Sequence, residues 1–254
     1  SSKDCNLLKK KEVDLLLKNL KKKYVLIIFS FITKNKNSKS TFLKNLKMMS
    51  NVAEALDINM ISKIVFISSV EVYGQIPQNP ILETTQENPR NLYGLAKSIS
   101  EQILKFKVIS KKLLILRLPG MYGYGDNFQS VIGKFIYSAI KFKKIIIKST
   151  GKEERDFLNV DDFPKILNNL IINNAFGLIN IVSGKSHSIE YIAKTISEYF
   201  KKQIKIFYEE KDKNKSIKSI SKFKFKQKKI LCKKNHHFTD IDKGIYKYIV
   251  QIKK

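Results

Sequence analysis

Glycine is scarce in this chain, and where it is missing matters more than how little there is. None of the 10 glycines precedes Gly74. A dinucleotide-binding βαβ unit needs a glycine-rich turn after its first strand, so that backbone amides can approach a pyrophosphate at a helix N-terminus. The residues before Gly74 offer no such turn. Tryptophan is absent, and the 2 cysteines, Cys5 and Cys232, have neither metal-ligand spacing nor a partner framework. A reduced, cytoplasmic setting is therefore expected. His187 and the pair His236–His237 have no zinc spacing, so no metal is expected. The longest apolar runs, such as Tyr24 to Ile32, fall well short of the ~20 residues that cross a bilayer. The polar, charged start reads as no secretory signal, and no membrane partner is expected.

Arginine is scarce as well. The formal charge is +27 from 49 basic residues, yet only Arg90, Arg117 and Arg155 are arginine. Nucleic-acid readers rely on arginine forks for base edges and phosphates. Here the charge is lysine spread through nearly every segment, a compositional bias rather than a binding stripe. No specific nucleic-acid partner is expected, and basic nucleic-acid binding ranks last among the functional readings. At 254 residues and 43% hydrophobic content, the chain can bury one sizeable core, or a core and a small lobe.

What is present centres on residues 63 to 97. Ile64 to Ile67 reads as a buried parallel strand, with Ser68 and Ser69 at its end. A loop rich in Pro, Asn and Glu follows, and Tyr93-Gly-Leu-Ala-Lys97 opens a helix. Tyr93 and Lys97, four apart, share a helical face. An ammonium beside a phenol favours the phenolate, so the Tyr93 pKa is expected to fall. A Ser69 hydroxyl could bond the reacting oxygen. Such a set can move a proton on or off a sugar hydroxyl.

The pair alone says little in a lysine-rich chain. Strand, Ser-Ser, Val72-Tyr73-Gly74, a proline-rich loop with Glu83, and Tyr93-Gly-x-x-Lys97-x-x-x-Glu101 together say more. This combination closely resembles the extended short-chain dehydrogenase/reductase family of NAD-dependent sugar-nucleotide epimerases and dehydratases. The resemblance implies a Ser69–Tyr93–Lys97 triad, with Tyr93 as general base and Lys97 on the nicotinamide ribose of NAD or NADP. Glu71 matches an acid that dehydrating and decarboxylating relatives carry, which implies a second base. Asn45, Ser30 and Pro119 fall on the cofactor side. Gly151 to Asp162 resembles the family's Gly-x-x-x-Arg-Asp-Phe-x-x-Val-x-Asp segment, which puts Arg155 on the diphosphate. A guanidinium suits that role because it donates two parallel charged bonds, and a salt bridge to Asp156 or Asp162 is the competing reading. Tyr122 and Asn127 fall in the substrate turn. Relatives pair through two helices per subunit, so a homodimer is expected through 42–56 and 92–107, by way of Leu46, Met49, Val52, Ile99, Ile103 and Phe106.

The expected fold is α/β: a Rossmann-like parallel sheet flanked by helices, N-terminally incomplete, with a small C-terminal substrate lobe. Residues 1–120 form the partial dinucleotide-binding part, and 121–254 a substrate lobe interwoven with the last Rossmann elements. Helices are expected over 6–22, 42–56, 93–107, 128–142, 163–173, 188–200 and 238–250, and strands over 24–31, 64–67, 113–119, 145–147 and 177–184. Asp161 or Asp162, and Ser188, are expected N-caps. Phe29 and Phe31 stand where the family has small residues beside the cofactor. The expected function is NAD(P)-dependent chemistry on a nucleoside-diphosphate sugar through a keto-sugar. The alternative is an inactive remnant or a non-catalytic sugar-nucleotide-binding partner.

Overall fold

The computed structural model describes residues 4–20, 22–33, 37–74, 79–209, 224–226 and 238–253. In chain order the elements are α1 (Lys10–Lys18), β1 (Tyr24–Ile28), α2 (Lys39–Ala55), β2 (Ile61–Ser69), α3 (Leu92–Lys107), β3 (Leu113–Leu118), β4 (Gly120–Tyr122) and α4 (Val131–Phe142). Then follow β5 (Lys144–Ile147), β6 (Glu154–Arg155), β7 (Phe157–Asn159), α5 (Phe163–Ile172), β8 (Gly177–Asn180), β9 (His187–Ser188), α6 (Ile189–Tyr199), β10 (Lys205–Tyr208) and α7 (Ile241–Lys253). They fall into two compact units.

The first unit takes Ser1–Ile76, Glu83–Leu118 and Asn174–Asn180. Its sheet is parallel throughout, in the order β1-β2-β3-β8. Along β2 only Ser62 is exposed, the pattern of a strand covered on both faces. Ile64, Phe66 and Ile115 pack with Met49 and Val52 of α2 and Leu104 of α3 into one core. On β1 the residues alternate: Ile28 is buried, while Val25 and Ile27 are 40% and 37% exposed. Because β1 and β2 are parallel, both chains leave the sheet at the same end, and that end carries the candidate site.

A buried ionic network ties α3 to the sheet. Arg117 of β3 donates through Nε and Nη2 to the Glu101 carboxylate at 3.0 and 2.7 Å, and also pairs with Glu87. Ser68 Oγ donates to the same Glu101 at 2.5 Å. The Tyr73 ring lies 4.7 Å from the Arg117 guanidinium carbon, and its hydroxyl donates to Asn180 Oδ1 at 2.8 Å. A charge pair this deep holds only because the bonds on each side are made.

The second unit takes Pro77–Leu82, Pro119–Asn173 and Ile181–Lys254. Among the described residues it has three two-stranded pairings, β10 with β5, β4 with β7, and β6 with β9. Helices α4, α6 and α7 enclose a core that includes Ile132, Ile136, Ile192, Ile196 and Ile245. Ser188 caps α6 as expected, accepting from Tyr191 N at 3.0 Å. Asp162 stands at the α5 N-cap position but makes no capping bond. Its carboxylate instead accepts from Thr239 N and Oγ1 at 2.7 and 2.8 Å, bonds that tie α5 to the segment ahead of α7. The strand β10 was not among the expected elements; Lys205 to Tyr208 pair in parallel with β5.

Candidate active site

Ser69 ends β2 and is 9% exposed. Its Oγ accepts from Glu71 N at 3.2 Å and is hydrogen-bonded with the Tyr93 phenol. The turn Val70–Val72 then leads toward α3. Asn91 caps that helix, its Oδ1 accepting from Gly94 N at 2.7 Å, while its Nδ2 donates to Glu71 Oε2 at 2.7 Å. A Cβ at position 94 would stand 2.6 Å from the Glu71 carbonyl oxygen. Glycine there lets the first turn of α3, with Tyr93, sit directly against the Glu71 turn. Ser69, Glu71, Tyr93 and Lys97 are thus brought together from three successive elements of one unit.

Lys97 lies one turn beyond Tyr93 and is 3% exposed. Its Nζ donates to the Ile67 carbonyl at 2.6 Å. The same ammonium lies 3.8 Å from the Phe31 ring centroid, 4.8 Å from that of Phe66 and 5.9 Å from that of Tyr93. Phe31 meets Tyr93 edge-on, with centroids 5.6 Å apart. Burial pulls the Lys97 pKa down to about 7, against the opposing charge of Glu101. Tyr93 moves opposite to the sequence expectation. Burial raises its pKa, the Glu71 charge adds to the rise, and only the Ser69 bond opposes it. A lysine whose pKa is lowered by burial stabilises a phenolate less than an ordinary ammonium would.

Asn45 is 1% exposed and turned toward the backbone. Its side chain accepts from Ile32 N at 2.8 Å and donates to Ile32 O at 3.0 Å, which clamps the segment after β1. Ser30 is exposed on that segment. Pro119, Tyr122, Asn127 and Arg155 belong to the second unit. Pro119 is buried there, and Tyr122, 1% exposed, is a member of its apolar core. Asn127 is exposed with φ 49°. Arg155 Nη1 donates to the Glu154 carbonyl at 2.8 Å. Both carboxylates named as its competing partners have other donors. Asp156 accepts from Ser183 N and Oγ and from Gly184 N, and Asp162 from Thr239. Burial raises Asp156 to about 6 in spite of those bonds. Cys232, His236 and His237 lie outside the described residues, among which no group of three His, Cys, Asp or Glu could hold a metal.

Sequence reasoning passed over Asn91, Ser68 and Arg117 as site supports. Asn91 was findable: an Asn three residues before Gly94, at the start of an apolar-periodic run, is an N-cap signal. The bond from Ser68 to Glu101 needed the strand register to be seen.

A parallel sheet whose C-terminal end gathers Ser, Tyr and Lys defines a Rossmann-like protein of the short-chain dehydrogenase/reductase type. Residues 2–181 match the NAD dependent epimerase/dehydratase family, and the chain belongs to it. A provisionally named UDP-glucose 4-epimerase of Methanocaldococcus jannaschii is 33% identical over 145 residues, 55% of this chain and 47% of that protein. A dTDP-D-glucose 4,6-dehydratase of Dictyostelium discoideum is 26% identical over 187 residues, 64% of this chain and 43% of that protein. This chain therefore spans about half the length of the curated relatives it matches. In three dimensions, a Bordetella bronchiseptica enzyme crystallised with NAD+ superposes at a TM-score of 0.81 with 17% identity, over 98% of this chain and 81% of that one.

The dinucleotide expected of the family does not fit the residues present. No glycine-rich turn opens α1 or α2; α2 begins instead at Ser38, whose Oγ accepts from Thr41 N at 3.3 Å. At the triad, the Phe31 ring already lies against Lys97 and Tyr93.

Proposed function

We propose that these residues supply the proton-transfer and sugar-nucleotide part of an NAD(P)-linked epimerase or dehydratase acting on a nucleoside-diphosphate sugar. The observation that carries the reading is the convergence of Ser69, Tyr93 and Lys97, with Tyr93 bonded to Ser69. In this reading the Tyr93 phenol takes or returns the proton of a sugar hydroxyl, and Ser69 orients that hydroxyl. Lys97 and the Asn91-capped start of α3 fix where the phenol sits. Glu71, whose carboxylate lies beside the same turn, is the candidate second base. Arg155 takes the diphosphate, where its fork can donate two charged bonds. The setting proposed is cytoplasmic, consistent with the free thiol of buried Cys5; among the described residues no helix is long and apolar enough to cross a membrane.

Saturation-transfer NMR on the purified chain tests the binding half of this reading. UDP-glucose and dTDP-glucose should both receive saturation at nucleotide and sugar protons, and Arg155→Met should abolish it. No transfer from either, together with salt-sensitive DNA binding, would replace this reading with the nucleic-acid one. The crowding of Tyr93 by Phe31 specifically favours a second reading, a sugar-nucleotide-binding partner that holds its ligand without turning it over.

The assembly proposed is a homodimer through α2 and α3. Met49 and Val52 are taken up by the core and Ile103 packs partly against it, which leaves Leu46 and Ile99, half-buried, and Phe106, 99% exposed, for an outer face. Sedimentation should find a concentration-dependent dimer that Ile99→Glu dissolves. A monomer at all concentrations would count against it.

A further inference from the structure

Phe31, beyond the end of β1, is given no chemical role in the proposed reaction, and it touches both ionisable members of the triad. Its ring centroid is 3.8 Å from Lys97 Nζ and 5.6 Å from the Tyr93 ring, which it meets edge-on at 88°. Phe66 lies close by, its ring 6.5 Å from that of Phe31 and 4.8 Å from the same ammonium. The lysine is thus held between an aromatic face and the Ile67 carbonyl. An ammonium has three donors. One is given to Ile67, and the ring covers a face from which another would reach a ligand hydroxyl.

The ring is also held in place. The next residue, Ile32, has both its N–H and its C=O bonded by the buried Asn45 amide. The strand β1 ends at Ile28 and the clamp follows at Ile32, so Phe31 stands between the sheet and an anchored backbone unit.

We propose that Phe31 is a plug: its ring closes Lys97 to any hydroxylated ligand and crowds the partly exposed Tyr93, and Lys97 becomes reachable only when the ring is removed or displaced. The electrostatics agree with this geometry. Burial, not charge, is the largest influence on both groups, lowering the lysine and raising the tyrosine. That the excluded ligand is a sugar hydroxyl rests on the proposed function; the closure itself does not.

Amine acylation reads the closure directly. The full chain is treated at pH 8 with the N-hydroxysuccinimide ester of acetic acid, and the rate at each lysine is followed by peptide mass spectrometry. A lysine with a lowered pKa would react fast if it were reachable, so slow reaction at Lys97 reports coverage. In Phe31→Ala, Lys97 should react about tenfold faster or more than in the parent chain, while exposed Lys105 is unchanged. Lys63, buried and bonded to the Ala175 carbonyl at 2.7 Å, reports the integrity of the unit and should stay slow in both. If Lys63 accelerates in Phe31→Ala, that variant has unfolded, and the same comparison passes to Phe31→Val. Equal Lys97 rates in the parent and in a folded Phe31 variant overturn the plug. A failure of sugar-nucleotide binding would be seen in the NMR experiment and would leave these rates where they are, so the two claims fail separately.

Discussion

Lys97 shows how a side chain can satisfy a motif while its burial alters its ionisation. Spacing placed it one turn from Tyr93, and the structure keeps it there, but its burial at 3% exposure changes its charge. Its pKa in the fold, about 7, lies below the ordinary value of 10.5. Between those two values the unfolded chain binds the proton that the folded chain has released. Stability therefore rises as pH increases through that window, and the cost of the buried charge is complete below it. Lys97→Met removes the titration. Urea denaturation at a series of pH values should show the parent gaining on Lys97→Met from pH 7 to pH 10, with the two curves parallel below pH 6. A constant difference across the whole range would mean that Lys97 keeps an ordinary pKa in the fold. The spacing rule could not show this, because the rings packed on Lys97, Phe31 and Phe66, come from the segment after β1 and from within β2.

At the scale of elements, much was legible. The buried runs in β2 and β3, the helical spacing in α2, α3 and α6, and the cap at Ser188 all came from local patterns that tertiary structure did not override. The failures share a cause. Asp162 had the composition of a cap, but Thr239, far along the chain, offered its carboxylate two donors. The strand β10 has only a three-residue apolar run, Ile206 to Tyr208, too short to read as a strand without its pairing with β5. Separately from these two, α7 packs over Tyr122, the residue expected in the substrate turn. The contact is close enough to test. A Cβ at Gly244 of α7 would stand 2.0 Å from the Tyr122 hydroxyl and 2.9 Å from Asn159 Nδ2. Gly244→Ala should therefore destabilise the second unit by ~1–3 kcal/mol, the usual cost of overpacking, even though alanine is the better helix former. Tyr122→Phe removes the closest atom. In a double-mutant cycle read by urea denaturation, the pair should cost less than the sum of the two single changes. Additive costs would mean that α7 shifts freely and that the contact is not what selects glycine.

For the whole molecule the question is how much of a dinucleotide these residues can hold. Lys97 and Tyr93 could reach only a ribose, and Phe31 stands in front of them. A pyrophosphate needs several backbone amides at a helix N-terminus, with glycine allowing the approach. Neither α1 nor α2 follows a glycine, and α1 has no side-chain cap at all. The sheet is consistent with this, since β1 is its edge among the described strands and Val25 and Ile27 on it remain partly exposed. Each charge-assisted bond to a pyrophosphate contributes ~1.5–3 kcal/mol, and ~1.4 kcal/mol is a factor of ten in affinity. Without several such bonds, binding falls by orders of magnitude, whatever Tyr93 and Lys97 contribute. The 254-residue chain should accordingly give no NAD heat in calorimetry at micromolar concentrations. Phe31→Ala should not restore it, because opening the triad adds a ribose contact and no amides. Micromolar binding by the parent chain would overturn this argument, and would mean that the residues ahead of α2 gather amides around a pyrophosphate without a single glycine.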